Sequence, residues 1–168
     1  MGFYFFSYFA NLKYMPVERS AGIIVFRNTP KGRRFLVIRS HRKKPQIGKK
    51  KFSKEHWDFP KGRLEKREKG IEAARREAKE EVGIKKIELL PDFKETVQYF
   101  TWREGRPILK FVAMFLGRTQ TFKVKLSWEH DKYGWLAYKD ASKMITLPPM
   151  KKALEKAERF LKGMANRV

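Results

Sequence analysis

The chain contains no cysteine and only three histidines in 168 residues. No disulfide framework can form, and a thiolate- or imidazole-rich zinc site has little to be built from. Carboxylates are scarce as well: 18 Asp and Glu stand against 40 Lys and Arg, leaving a formal charge of +22. A surplus of that sign means strong attraction to polyanions, with on-rates and salt dependence dominated by Lys and Arg. The apolar, aromatic residues 1–14 (MGFYFFSYFANLKY) are too short to cross a bilayer. They also lack the basic start and small-residue cleavage site of a signal peptide, and Phe6 stands where myristoylation of Gly2 would want Ser or Thr. These absences lead us to expect a cytoplasmic protein with no membrane partner. They also predict an N-terminal extension at 1–14 that packs or makes a dimer contact, with Met15 as an alternative start. Residues 15–168 should then form a single domain, as monomer or homodimer, since no repeat or interdomain linker interrupts them.

What is present suffices for a core: 42% of residues are hydrophobic and 14% aromatic. Abundant Lys with Glu and no Cys also resembles a thermophile's composition. Ser20–Arg27 and Phe35–Ser40 read as strands joined by a turn around Pro30 and Gly32. Residues 42–54 (RKKPQIGKKKFSK) hold seven Lys or Arg and read as a solvated loop or a clamp for an anion. Lys94–Trp102 and Ile108–Leu116, flanking Glu104 and Gly105, predict a hairpin, and Trp135–Tyr138 a further strand. Pro149–Gly163 predicts an amphipathic helix with Met150, Ala153, Leu154, Ala157 and Leu161 inward. That order gives an α/β fold: a mixed β-sheet with helices on both sides.

Residues 62–84 (GRLEKREKGIEAARREAKEEVGI) are the densest acidic segment in this basic chain. On a helix, Glu77, Glu80 and Glu81 share one face, while Ile71, Ala74, Ala78 and Val82 line the other. Three clustered carboxylates repel one another unless cations neutralise them. An all-oxygen donor set suits a hard ion such as Mg²⁺ or Mn²⁺. The alternative is a solvated amphipathic helix in which Arg75, Arg76 and Lys79 pair with the glutamates. Gly83 reads independently as the helix stop.

The spacing of Gly62, Glu68, Arg76, Glu77, Glu80, Glu81, Gly83 and Ile84 resembles the Nudix box of hydrolases acting on nucleoside diphosphates linked to another group. The resemblance implies the α/β/α sandwich of the Nudix fold, with the box as a loop–helix–loop. Outside the box, three segments resemble one branch, the diadenosine tetraphosphate (Ap4A) hydrolases of animal and archaeal type: WDFPKG at 57–62, the hairpin at 99–110, and LSWEHDKYGWL at 126–136. The start of the last helix is similar too. Carried over residue by residue, the likeness implies that Glu77, Glu80, Glu81 and Glu129, with the carbonyl of Gly62, hold Mg²⁺ or Mn²⁺. The proton acceptor would be Glu129 or a box glutamate. Glu68 and Arg76 would form a salt bridge that holds the box loop, with Gly83 structural. His56, Lys61 and Lys110 would face the substrate, and Tyr99 and Tyr133 would hold an adenine, with Phe100 and Trp102 as competitors. The chain departs from that branch at Arg63, Lys66, Arg67 and Met114, and the hairpin tyrosine lies about two residues nearer the box.

The resemblance implies hydrolysis of a nucleoside polyphosphate, above all asymmetric cleavage of diadenosine tetraphosphate to ATP and AMP. The excess of basic residues keeps three alternatives open. These are removal of pyrophosphate from an RNA 5′ end, cleavage of inositol pyrophosphates, and a non-enzymatic RNA-binding module on a Nudix scaffold. The intact acidic triad argues against the last. ADP-ribose is disfavoured, because Gln98 stands where that activity is associated with proline.

Overall fold

The computed structural model describes residues 15–40, 55–103 and 105–166. The extension expected at 1–14 and the basic loop expected at 42–54 lie outside the described residues. Seven strands form one mixed sheet: β1 (Val17–Thr29), β2 (Gly32–Ser40), β3 (Trp57–Asp58), β4 (Lys61–Arg63), β5 (Glu88–Arg103), β6 (Arg106–Arg118) and β7 (His130–Leu136). Among the described residues three helices accompany it: α1 (Gly70–Val82), α2 (Tyr138–Met144) and α3 (Pro148–Ala165). The path across the sheet runs β3-β2-β1-β6-β5, with β4 on β1 and β7 on β2. Among the described residues only the β1–β6 pair is parallel, and β5 and β6 form the hairpin.

Strand alternation builds two cores, one on each face. Ala21, Ile23, Val25, Leu36 and Ile38 pack against Ala73, Ala74, Ala78 and Val82 of α1. Ile24, Phe26, Phe35, Val37 and Met114 pack on the opposite face against Met150, Ala153, Leu154, Ala157 and Leu161 of α3. This is the α/β/α sandwich. Among the described residues no helix is long and apolar enough to cross a membrane.

The feature that positions the site is a fork between β1 and β2. The two strands pair only from Phe26 to Thr29 on β1. Before the fork closes, Ser20–Gly22 pair with β4 instead, and Ile38 and Arg39 of β2 pair with β3. Residues 56–64 fill the gap and are tied on both sides. Ser40 N–H donates to the His56 carbonyl (3.0 Å), Ile23 N–H to the Pro60 carbonyl (3.1 Å) and Leu64 N–H to the Arg19 carbonyl (3.1 Å). Gly22 is required there, since a Cβ would lie 2.5 Å from the Pro60 carbonyl and from Lys61 Cβ.

Several sequence expectations are corrected. The strand expected at Trp135–Tyr138 runs from His130 to Leu136, because β7 pairs with Phe35–Ser40 of β2 along its whole length. Tyr138 instead opens α2, a short helix whose one buried residue, Ala141, gives almost no periodic signal. The other strands extend beyond their apolar centres, as strand ends do when partner strands supply hydrogen bonds. On α1, Ile71 is not in the core: it is 41% exposed, while Ala73 is buried.

Candidate active site

Residues from three parts of the chain line one cavity of about 530 Å³: Lys61, Gly62 and Arg63 of β4, Glu77, Glu80 and Glu81 of α1, and Ser127, Trp128 and Glu129 of the loop before β7. The loop is fastened to the end of α1, because Lys125 N–H donates to the Val82 carbonyl (3.1 Å) and Ser127 N–H to the Glu81 carbonyl (3.0 Å). Gly83 makes this junction possible. Its φ of 71° is the left-handed cap that ends α1, with its N–H returning to the Lys79 carbonyl (3.1 Å) and that of Ile84 to the Ala78 carbonyl (3.4 Å).

The helix carboxylates are held individually. Arg76 binds Glu68 through two hydrogen bonds (Nε–Oε1 2.9 Å, Nη2–Oε2 3.0 Å) and donates to the Arg63 carbonyl (2.9 Å). Its Nη1 reaches Glu77 at 2.7 Å and Glu80 at 3.1 Å. This fork-to-carboxylate pairing holds the Glu68 carboxyl below its ordinary range. Gly62 packs so closely on Glu77 that a Cβ would lie 1.9 Å from Oε1. Glu81 accepts from the Lys61 N–H (2.9 Å) and lies 3.8 Å from His130 Nε2. Burial pushes the Glu81 carboxyl up to about 8 against Lys61, with Glu77 and Glu129 adding repulsion. Glu77 is raised for the same chief reason, burial, with Glu80 and Glu129 contributing. Burial and Lys61 push the neighbouring imidazole of His130 down to about 4, keeping it neutral at pH 7.

The carboxylates do not converge into a finished coordination shell. Among the described residues no group of three or more acidic or histidine side chains is close enough to hold an ion. They fit a divalent cation nonetheless. Four carboxylates line one wall, two of them hold protons above their ordinary range, and Arg76 neutralises only part of the charge. Oxygen donors with unmet negative charge are what a hard dication binds.

Behind the cavity lies a second polar cluster. Asp58 is buried, accepts the Phe59 N–H on Oδ1 (2.8 Å), and turns Oδ2 to Lys61 Nζ (3.0 Å) and His56 Nε2 (3.3 Å). Burial opposes its charge, yet Lys61 and His56 hold its carboxyl below the ordinary range. Burial likewise opposes the Lys61 ammonium, and Asp58, with Tyr99 and Glu81, raises its pKa instead. Tyr99 is half-buried beside this cluster, and its hydroxyl is raised by burial. Lys110 is placed differently: its Nζ pairs with Glu18 (3.0 Å), as do Arg63 Nε (2.8 Å) and Arg103 Nη2 (2.5 Å). Tyr133 stands 42% exposed on β7, opposite Ile38 and outside the cavity lining.

The structure thus gathers Lys61, Gly62, Glu77, Glu80, Glu81 and Glu129 around one cavity. His56 and Tyr99 lie behind Lys61, while Lys110 and Tyr133 stand apart. Sequence reasoning missed Asp58, Glu18, His130 and Trp128. Asp58 and His130 sit inside quoted segments, so position was their one available signal.

A model of the NUDIX domain matches residues 16–159. The bis(5′-nucleosyl)-tetraphosphatase [asymmetrical] of Sus scrofa is 30% identical over 112 residues, spanning 66% of this chain and 75% of that protein. An RNA pyrophosphohydrolase of Nitratiruptor is 36% identical over 114 residues, spanning 59% of this chain and 72% of that protein. Among solved structures, a binary complex of the C. elegans Ap4A hydrolase superposes with a TM-score of 0.67 at 28% identity, covering 87% of this chain and 98% of that one.

Proposed function

This chain belongs to the Nudix family and is a Nudix hydrolase, and on that premise we propose that it cleaves diadenosine tetraphosphate asymmetrically to ATP and AMP with Mg²⁺ or Mn²⁺. The observation that carries the reading is a cavity lined by four carboxylates together with Lys61 and Gly62. Glu77, Glu80, Glu81 and Glu129, with the Gly62 carbonyl, are the residues we assign to the ion. When bound, the cation polarises phosphoryl oxygens and lowers the pKa of the attacking water.

The protein's own groups supply the remainder. Lys61, fixed by buried Asp58, presents positive charge where the polyphosphate gains negative charge in the transition state. Glu129, on a separate loop fastened to α1, or a box glutamate takes a proton from water. Water oxygen bonds to phosphorus, the bridging P–O bond breaks, and the released nucleotide leaves as a phosphate oxyanion. Arg76 is a positioning residue, because it fixes Glu77 and Glu80 while tying Glu68 to the box loop. His56 and Tyr99 border the Asp58–Lys61 pair, and we assign them to the nucleoside end of the substrate.

A second reading, removal of pyrophosphate from an RNA 5′ end, is favoured by the formal charge of +22 and by the likeness to an RNA pyrophosphohydrolase. One experiment separates the two. Diadenosine tetraphosphate, ADP-ribose, an inositol pyrophosphate and 5′-triphosphorylated RNA are offered in parallel in heavy-oxygen water. ATP plus AMP at the highest kcat/KM supports the dinucleotide reading, and preferential release of pyrophosphate from RNA overturns it. Glu81→Gln should cut turnover at least about a hundredfold with the fold intact, and unchanged turnover would sink the metal assignment.

A further inference from the structure

We propose that Trp128 stacks on a nucleobase of the substrate and holds the nucleoside at the end of the polyphosphate opposite the one assigned to Tyr99, an inference that rests on the dinucleotide reading above. Trp128 is the one aromatic residue lining the carboxylate cavity, and the other eight lining residues are charged, serine or glycine. Those eight suit phosphates and a cation but offer a base no apolar face. The aromatic side chains that could compete, Phe100, Trp102 and Tyr133, do not line the cavity. Trp128 is also 85% exposed, the most of any large hydrophobic residue described. An indole left in water contributes no burial to the fold, whereas stacking on a base takes its face out of water whatever the base.

The backbone that carries the ring is fixed on both sides. Ser127 N–H donates to the Glu81 carbonyl (3.0 Å), His130 N–H donates to the Ser127 carbonyl (3.2 Å), and Ser127 Oγ lies 3.2 Å from His130 Nδ1. Trp128 is thereby held against the end of the helix that bears the glutamates, and a platform already ordered gives up little freedom when a base arrives. Tyr99 serves a different base. It packs on the core beneath α3, while Leu126, two residues before Trp128, packs on the core beneath α1. The two aromatics therefore approach from opposite faces of the sheet, with β4 between them: Tyr99 borders Lys61, and the next residue, Gly62, packs on Glu77 of α1. A substrate with one base at Tyr99 passes its phosphates over Lys61 and Gly62 and brings its second base to Trp128. A dinucleoside polyphosphate has two bases to place, and Trp128 supplies the second platform.

The test uses the full chain with Mg²⁺ and diadenosine tetraphosphate as substrate. Adenosine 5′-tetraphosphate, which carries one base, is added as a competitor, so that its Ki is read whether or not it is cleaved. Trp128→Ala should raise KM for the dinucleotide at least about tenfold while kcat stays within about threefold, the signature of binding lost equally from ground and transition states. The competitor's Ki should rise at least about threefold less, because its single base has Tyr99 to occupy. Trp128→Phe, which keeps a stacking ring, should recover most of the lost affinity. Since the ring is exposed, Trp128→Ala should melt within about 2 °C of the parent. A parent that cleaves the dinucleotide, with a Trp128→Ala variant whose KM is within about twofold of it, overturns the inference alone. Equal rises in KM and Ki also overturn it, since the ring would then be a wall of the phosphate site and not a platform for the second base. Failure of the parent to cleave the dinucleotide overturns the dinucleotide reading, and the inference falls with it.

Discussion

Removing the carboxylate of Asp58 should destabilise the protein more than any change in the visible catalytic wall. The Asp58 side chain is 5% exposed and that of Lys61 14%, with 3.0 Å between the charged atoms. Deleting one partner of such a pair leaves an uncompensated buried charge, which costs about 3–5 kcal/mol. For a domain of this size each kcal/mol shifts Tm by roughly 2–4 °C, so Asp58→Ala should melt roughly 6–20 °C lower. Calorimetry at pH 7 reads this directly. The paired substitution Asp58→Leu, Lys61→Met removes both charges at similar volume and should recover at least half the loss, while abolishing activity. The folded pKa of Asp58 lies below the ordinary 3.8, so its stabilisation is present above about pH 4 and is lost as pH falls further. A single variant melting within 2 °C of the parent, or a double variant no more stable than the single, would refute the reasoning.

Two further outcomes follow from the carboxylate wall. Gly62→Ala should leave Tm nearly unchanged but lower kcat/KM by about a hundredfold, because the new Cβ would lie 1.9 Å from Glu77 Oε1 and must displace it; unaltered kinetics would remove Glu77 from the site. In chelator, melting temperature should fall as pH rises from 5 to 8. The Glu81 carboxyl titrates near 8 when folded against an ordinary 4.5, so its proton stabilises the fold at low pH and is lost through that window, at no more than about 1.4 kcal/mol per pH unit. Millimolar Mg²⁺ should flatten the slope, and identical pH curves with chelator and with Mg²⁺ would contradict an ion at Glu81.

The box was legible because its requirements are local. Helical spacing alone puts Glu77, Glu80 and Glu81 together, and Gly83 marks its own cap. The two-sided core was legible from alternation in β1 and from the apolar stripe of α3. What escaped was what long-range pairing decides. The partner of Lys110 is Glu18, 92 positions earlier, and no periodicity connects them. Asp58 lies three residues from Lys61, yet its burial is apparent only when the fork between β1 and β2 encloses it. Ile71 fits the helical stripe yet stands 41% exposed in the first turn of α1 while Ala73 is buried, a choice of face at the helix start that spacing does not decide.

The fork sets where this protein can change over evolutionary time. Residues 56–64 resemble a connecting loop in the chain, yet both flanks are hydrogen-bonded into neighbouring strands. One inserted residue there would slide Lys61 and Gly62 out of step with α1 and dismantle cation and carboxylate placement together. Length variation is therefore closed to the segment nearest the chemistry. New substrate preferences have to arise at the hairpin rim and in the turn bearing Trp128, where side chains can be exchanged without shifting the register that the reaction depends on.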